Sequence, residues 1–190
     1  MNTKHLAGVL ALLAATATSA AHAAPIALQD AVITATYNGS AAGMLGLDRQ
    51  FAAEPGSNTT RLDPTGSGVE FLTGDYLFGI DFSPSGMLTV IANGAIPTGA
   101  YAMRFDFGTS LAAAIGSVTF TGASGATGIP VAALIDSHTI ELDLGAVAWS
   151  EFGSVTAQLG TAAAVPEPAT SALLLTGLAG LLLVRRRAAR

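Results

Sequence analysis

The chain has 190 residues, a net charge of −5 and no cysteine, which excludes a disulfide framework, a thiolate zinc site and a cysteine nucleophile. The acidity is concentrated in residues 24–164, where twelve Asp or Glu face only Arg49, Arg61 and Arg104, hence −9 with no lysine. Such a surface repels phosphate backbones, so nucleic acid is excluded as a partner; it suits solubility and leaves room for divalent cations.

At the N-terminus, Lys4 and His5 precede an apolar run from Leu6 to Ala15, and Ala21-His22-Ala23 follows with small residues at both cleavage positions. The run is too short to span a bilayer, and the pattern predicts a signal peptide over 1–23, cut after Ala23. Residues 24–164 then form one exported domain of ordinary size, and all the aromatic residues fall inside it.

That domain reads as strands. Ala31 to Tyr37 alternates, with Ile33, Ala35 and Tyr37 on one side, and Asn38-Gly39 supplies a turn. Gly43 to Leu47 is apolar but broken by glycine, and Glu54 to Gly68 is expected to be a long surface loop. Tyr76, Phe78, Ile80 and Phe82 then share a face, Ser83 to Gly86 turns the chain, and Met87 to Ala92 is its hairpin partner. The cleanest alternation places Tyr101, Met103, Phe105 and Phe107 together. Leu111 to Ile115 suggests a helical turn. Val118 and Phe120 form a short strand, and Gly122 to Gly128 a glycine-rich loop. Thr139 to Leu144 and Ser154 to Leu159 complete the set. A period of two means strands buried on one face. Seven to nine short strands with glycine-rich turns predict an all-β antiparallel sandwich or jelly roll.

Chemistry is sparse. Asp136, His138, Glu141 and Asp143 lie close in sequence, but on a strand Glu141 and Asp143 share a face that His138 does not. His138 is also the one histidine left after signal removal, so no zinc or iron site is expected and no cofactor is assigned. Calcium would draw on Asp48, Glu54, Asn58 and Asp63, none of which has EF-hand spacing. Asp75, Asp81, Asp106, Glu141 and Glu151 could supply a glycosidase pair from distant strands, and none stands out. Trp149, beside Ser150 and Glu151, reads as core before it reads as a sugar platform. No nucleophile elbow, Walker loop or dinucleotide fingerprint occurs, so the domain is not expected to be an enzyme and no catalytic residue is named.

The C-terminus is sharper. After a linker to Ala164 come Val165, Pro166, Glu167, Pro168, Ala169 and Thr170, then fifteen uncharged residues from Thr170 to Val184. Arg185, Arg186, Arg187 and Arg190 end the chain. The prolines hold an extended, unpaired segment that an enzyme can grip. The apolar run can enter lipid only as a helix, and the arginines stay on the cytoplasmic side as a membrane stop.

These three parts, in this order, resemble the PEP-CTERM sorting signal of Gram-negative bacteria. The resemblance covers Val165–Arg190, with the sorting motif at 165–170, a transmembrane helix at 170–184 and a basic tail at 185–190. It implies processing by exosortase, a membrane-embedded cysteine protease, as a partner. It says nothing about the exported domain. The expected whole is a surface or extracellular-matrix protein, exported across the inner membrane, anchored by its tail and then released, with exopolysaccharide as a partner to test. The rival is an exported carbohydrate-binding module, with a hydrolase on the same sandwich behind it.

Overall fold

Apolar side chains at every second position give each strand one face to bury, and two such sheets bury each other. The computed structural model describes residues 23–66 and 68–162. The expected signal peptide other than Ala23, and the whole sorting motif, apolar helix and basic tail, lie outside the described residues. Among the described residues no helix is long and apolar enough to cross a membrane.

The strands are β1 Val32–Tyr37, β2 Met44–Gly46, β3 Thr59–Arg61, β4 Phe71–Thr73, β5 Phe78–Phe82 and β6 Met87–Ala92. They continue as β7 Ala102–Asp106, β8 Ile115–Thr127, β9 Val131–Leu134, β10 Thr139–Asp143 and β11 Ala148–Thr161. One sheet runs β3-β1-β7-β10-β9 and the other β2-β4-β5-β6-β11-β8. All the pairings are antiparallel. The expected all-β architecture of antiparallel sheets is therefore present, and it fits a β-sandwich.

The predicted faces hold at the centre. Ile33 and Ala35 of β1, Met103 and Phe105 of β7, and Ile140 and Leu142 of β10 are buried against Phe78, Ile80 and Phe82 of β5 and Leu88 and Val90 of β6. The sheets meet through aromatic edges, with Phe82 and Phe105 at 5.1 Å between ring centres and Phe82 and Phe107 at 5.7 Å. Such pairs add about 0.5–1.5 kcal/mol each beyond the area they bury.

Several readings change. Glu54 to Gly68 is not simply a surface loop: it contains β3, paired to β1, and it buries Ser57, Thr60 and Leu62. Its strand is three residues long, too short to show a period. Leu111 to Ile115 forms no helical turn; β8 begins at Ile115. The expected glycine-rich loop from Gly122 is strand as far as Thr127, because β8 pairs with a similarly long β11 that starts at Ala148 rather than Ser154. A long partner holds small residues in a ladder they would not choose alone. Tyr76 does not share the buried face of β5: it sits before the strand with φ 59° and is exposed.

The sandwich has two unlike flanks. Strands β2 and β3 lie at one and β8 and β9 at the other. At the first, the Ser57 hydroxyl accepts the Gly46 amide at 3.2 Å, the Thr60 hydroxyl accepts the Asp48 amide at 3.0 Å, and Leu62 N–H donates to Ala31 C=O at 2.9 Å. Side chains and loop bridge that flank, beside a hollow of about 410 Å³ lined by Ala41, Met44, Leu45, Pro55 and Asn58. The second lacks such a lid.

Candidate functional site

The outer face of the six-stranded sheet carries a groove of about 320 Å³ lined by Val69, Leu72, Tyr76, Gly79, Ile91, Ala92, Asn93 and Phe152. Its floor is half-buried aliphatic, and two aromatic rings stand beside it, Tyr76 56% and Phe152 69% exposed. Both residues have left-handed backbones, φ 59° and 56°. For a bulky residue that conformation is an outlier costing on the order of 1–3 kcal/mol, and it persists only where neighbours enforce it.

The neighbours are evident. Tyr76 N–H donates to Thr73 C=O at 2.8 Å, Leu77 N–H donates to the Asp75 carboxylate at 3.1 Å, and the Asn93 amide donates to Tyr76 C=O at 3.1 Å. Phe152 stands on a bulge of β11: Trp149 pairs with Ala126 and Ser154 with Ser124, so the residues between loop outward. A Cβ on Gly125, whose φ is +59°, would lie 3.2 Å from Gly153 Cα, so glycine at both positions lets the strands close beneath the bulge. Bulges re-aim side chains in this way.

A second feature is buried. Glu70 is wholly inaccessible, with Oε1 accepting the Asp63 amide at 3.0 Å and Oε2 the Phe82 amide at 2.7 Å. Burial pushes its carboxyl up to about 7, against the pull of those two amides, and the nearby Asp81 adds to the rise. Asp81 is itself raised, first by burial and then by Asp63. A raised glutamate suggests acid–base work, but no substrate can reach this one. It ties the loop at Asp63 to the end of β5.

The sequence-selected residues fall as follows. Asp106 and Glu141 meet in a polar hollow of about 480 Å³ on the outer face of the other sheet, with Arg104, Thr34 and Thr36. Arg104 is directly opposite Glu141, and the Asp106 carboxylate accepts the Gly108 amide at 2.8 Å. Asp75 lies beside Tyr37, whose phenol is raised by burial and then by that carboxylate. Glu151 is exposed next to Phe152. His138 Nδ1 is 2.9 Å from the Ser137 hydroxyl, in the turn between β9 and β10. The Asp136 carboxyl is lowered, chiefly by the His138 amide.

Of the calcium set, Asp48 accepts the Arg61 amide at 3.0 Å, Asn58 donates to Ala35 C=O at 3.0 Å, Asp63 binds the Thr65 amide and hydroxyl, and Glu54 pairs with Arg49 at 3.5 Å. Among the described residues no group of three or more His, Asp or Glu is placed to hold a metal ion. Trp149 is core, edge-on to Phe78 at 5.3 Å. Sequence reasoning missed Glu70, which has no polar neighbour in sequence to mark it. It also missed Tyr76 and Phe152 as a pair, because they are far apart in the chain, one in the turn before β5 and the other on the bulge of β11.

The two ends of the domain are bonded together. Thr161 N–H donates to Ala24 C=O at 2.8 Å, and Ile26 N–H donates to Leu159 C=O at 3.1 Å. The chain therefore enters and leaves the domain at one point. Beyond it, residues 164–187 match the PEP-CTERM protein-sorting motif, the segment that opens with Ala164-Val165-Pro166-Glu167-Pro168 and closes on Arg187. No curated protein and no solved structure matches the chain. The chain carries a PEP-CTERM sorting motif at its C-terminus, and the β domain lies outside the match.

Proposed function

We propose that this chain is an exported surface or extracellular-matrix protein of a Gram-negative bacterium, held briefly by its tail and released by an exosortase-type membrane protease. Its β domain is passenger and not enzyme. The observation that carries the reading is the sorting motif at 164–187. Supporting it, the bond from Thr161 to Ala24 puts the start and end of the domain at one pole, so a single membrane attachment can display the rest.

The tail physics agrees with release. Fifteen helical residues span roughly 22 Å, against a hydrocarbon core of about 30 Å. Arginine snorkelling and local thinning make up part of the difference, and Gly177 and Gly180 weaken the helix further. Such an anchor holds the chain for recognition and presents Pro166-Glu167-Pro168 just outside the bilayer. Replacing Pro166 and Glu167 by alanine should leave insertion intact and block conversion to a form lacking residues 185–190 in the native host. Full conversion of that double variant, read by tail mass spectrometry, would remove the basis of the proposal.

A second reading, an exported carbohydrate-binding module, is favoured by the groove between Tyr76 and Phe152, whose exposed rings and aliphatic floor suit the apolar face of a sugar ring. The hydrolase version would use Asp106 and Glu141. Binding of the host's exopolysaccharide should weaken about tenfold or more when both aromatics become alanine. Unchanged binding, or none in the parent, leaves the passenger without this role.

A further inference from the structure

The flank formed by β8 and β9 ends in exposed apolar strand. Ile129 is 79% exposed, Val131 56%, Leu134 42% and Ile135 46%. Behind them Val118, Phe120 and Ala132, packed on the core, are only half-buried. Each of the two strands has a single sheet neighbour, β11 for β8 and β10 for β9, so each leaves one edge unpaired by any described strand. Ile135 N–H donates to Thr139 C=O at 2.9 Å, which sets the phase of the β9–β10 ladder. By alternation, Ile135, Ala133 and Val131 turn their amides toward β10, and Ala132 and Leu134 turn theirs outward.

Sheet proteins guard such edges with lysine, inward-pointing charge or proline. Here no Asp, Glu, Lys or Arg occurs from Phe107 to Ile135, and Pro130 stands just before β9 rather than within it. The rest of residues 24–164 holds all twelve acids. Two copies of so acidic a domain repel over most approaches; β8 and β9 bring no charge of their own to a meeting, the nearest acids being Asp136 after β9 and Glu141 and Asp143 of β10 opposite Ala133 and Val131. A basic partner would be drawn to the acidic faces instead.

We infer that the β8–β9 flank is a self-association surface whose occupant is the same flank of a second copy, with β9 pairing antiparallel to its equivalent across a two-fold axis. Antiparallel pairing of a strand with itself is isologous: every outward amide finds an outward carbonyl, and the pair closes without propagating through β9. The inference concerns the passenger and does not depend on how the tail is processed.

The absence of native cysteine makes the test direct. Single thiols at Val131, Ala133 and Ile135, all facing outward from β9, are placed in the full-length chain in an exporting host. Ala52→Cys, exposed at the opposite flank, serves as control. Mild oxidation should give a disulfide dimer from at least one β9 thiol at fivefold or more over the control. Ile129→Lys, at the most exposed of these positions, should return that yield to the control level. Dimer yields no higher than the control at all three positions overturn the inference. A monomer whose β9 thiols resist maleimide also overturns it, since another segment of the chain would then occupy the edge.

Discussion

The β2–β3 flank ends in side chains, and the β8–β9 flank ends in backbone. At the first, Ser57, Thr60 and Leu62 are buried and the loop's polar atoms are bonded to Gly46, Asp48 and Ala31. At the second, Ile129, Val131 and Leu134 are exposed and the neighbouring core residues are half-buried. Both edges pose the same physical problem, an unpaired ladder beside an apolar core. A loop rich in hydroxyls and acids solves it within the chain, whereas an uncharged stretch does not. Closure at one edge and openness at the other is a difference of composition as much as of geometry.

A matched pair of leucines tests the contrast most strongly. Leu62→Ala at the closed flank should cost about 2–4 kcal/mol, because Leu62 is only 3% exposed and the cavity cannot collapse. Leu134→Ala removes the same atoms at the open flank and should cost roughly 1 kcal/mol or less. Equal losses in urea melts would erase the distinction.

The closed flank should also respond to pH. Glu70 titrates at about 7 when folded against 4.5 as its ordinary value, so the native state holds its proton more tightly. Stability from this group is full below about pH 4.5, falls as pH rises toward 7 and is lost above it. Linkage sets an upper bound of roughly 3 kcal/mol. Asp81, raised as well, works in the same direction. The domain should therefore melt lower at pH 8 than at pH 5, and Glu70→Gln should flatten that slope whatever its absolute cost. A rise in stability from pH 5 to pH 8 would contradict the assignment.

The smallest effect lies on the open side, where the β11 bulge lifts Phe152 into solvent at φ 56°. Phe152→Gly removes backbone strain and loses little burial, so it should leave stability unchanged or raise it by about 1 kcal/mol. A loss of more than that would mean that the ring packs against the fold.

Much of the centre was legible from residue order. The alternations at Ile33 to Tyr37, Phe78 to Phe82 and Met103 to Phe107 became inward faces because burial on one side of a strand demands a period of two. The edges were not legible. Three residues of β3 carry no period, and the glycine, serine and alanine of β8 carry turn propensity that a fourteen-residue partner overrides. The groove was hidden for a related reason: Tyr76 and Phe152 are far apart in the chain, and only the neighbouring strands β5, β6 and β11 bring them to one face.

Residue order by itself determined the all-β class, the acidity of the exported segment and the sorting motif at 164–187, since each depends on local composition and spacing. Tertiary structure alone decided that Glu70 is buried, that two strained aromatics share a groove, and that Ala24 meets Thr161. It also decided which flank is closed. These follow from contacts between segments distant in the chain, whose energies are set by what the fold brings together and excludes from water.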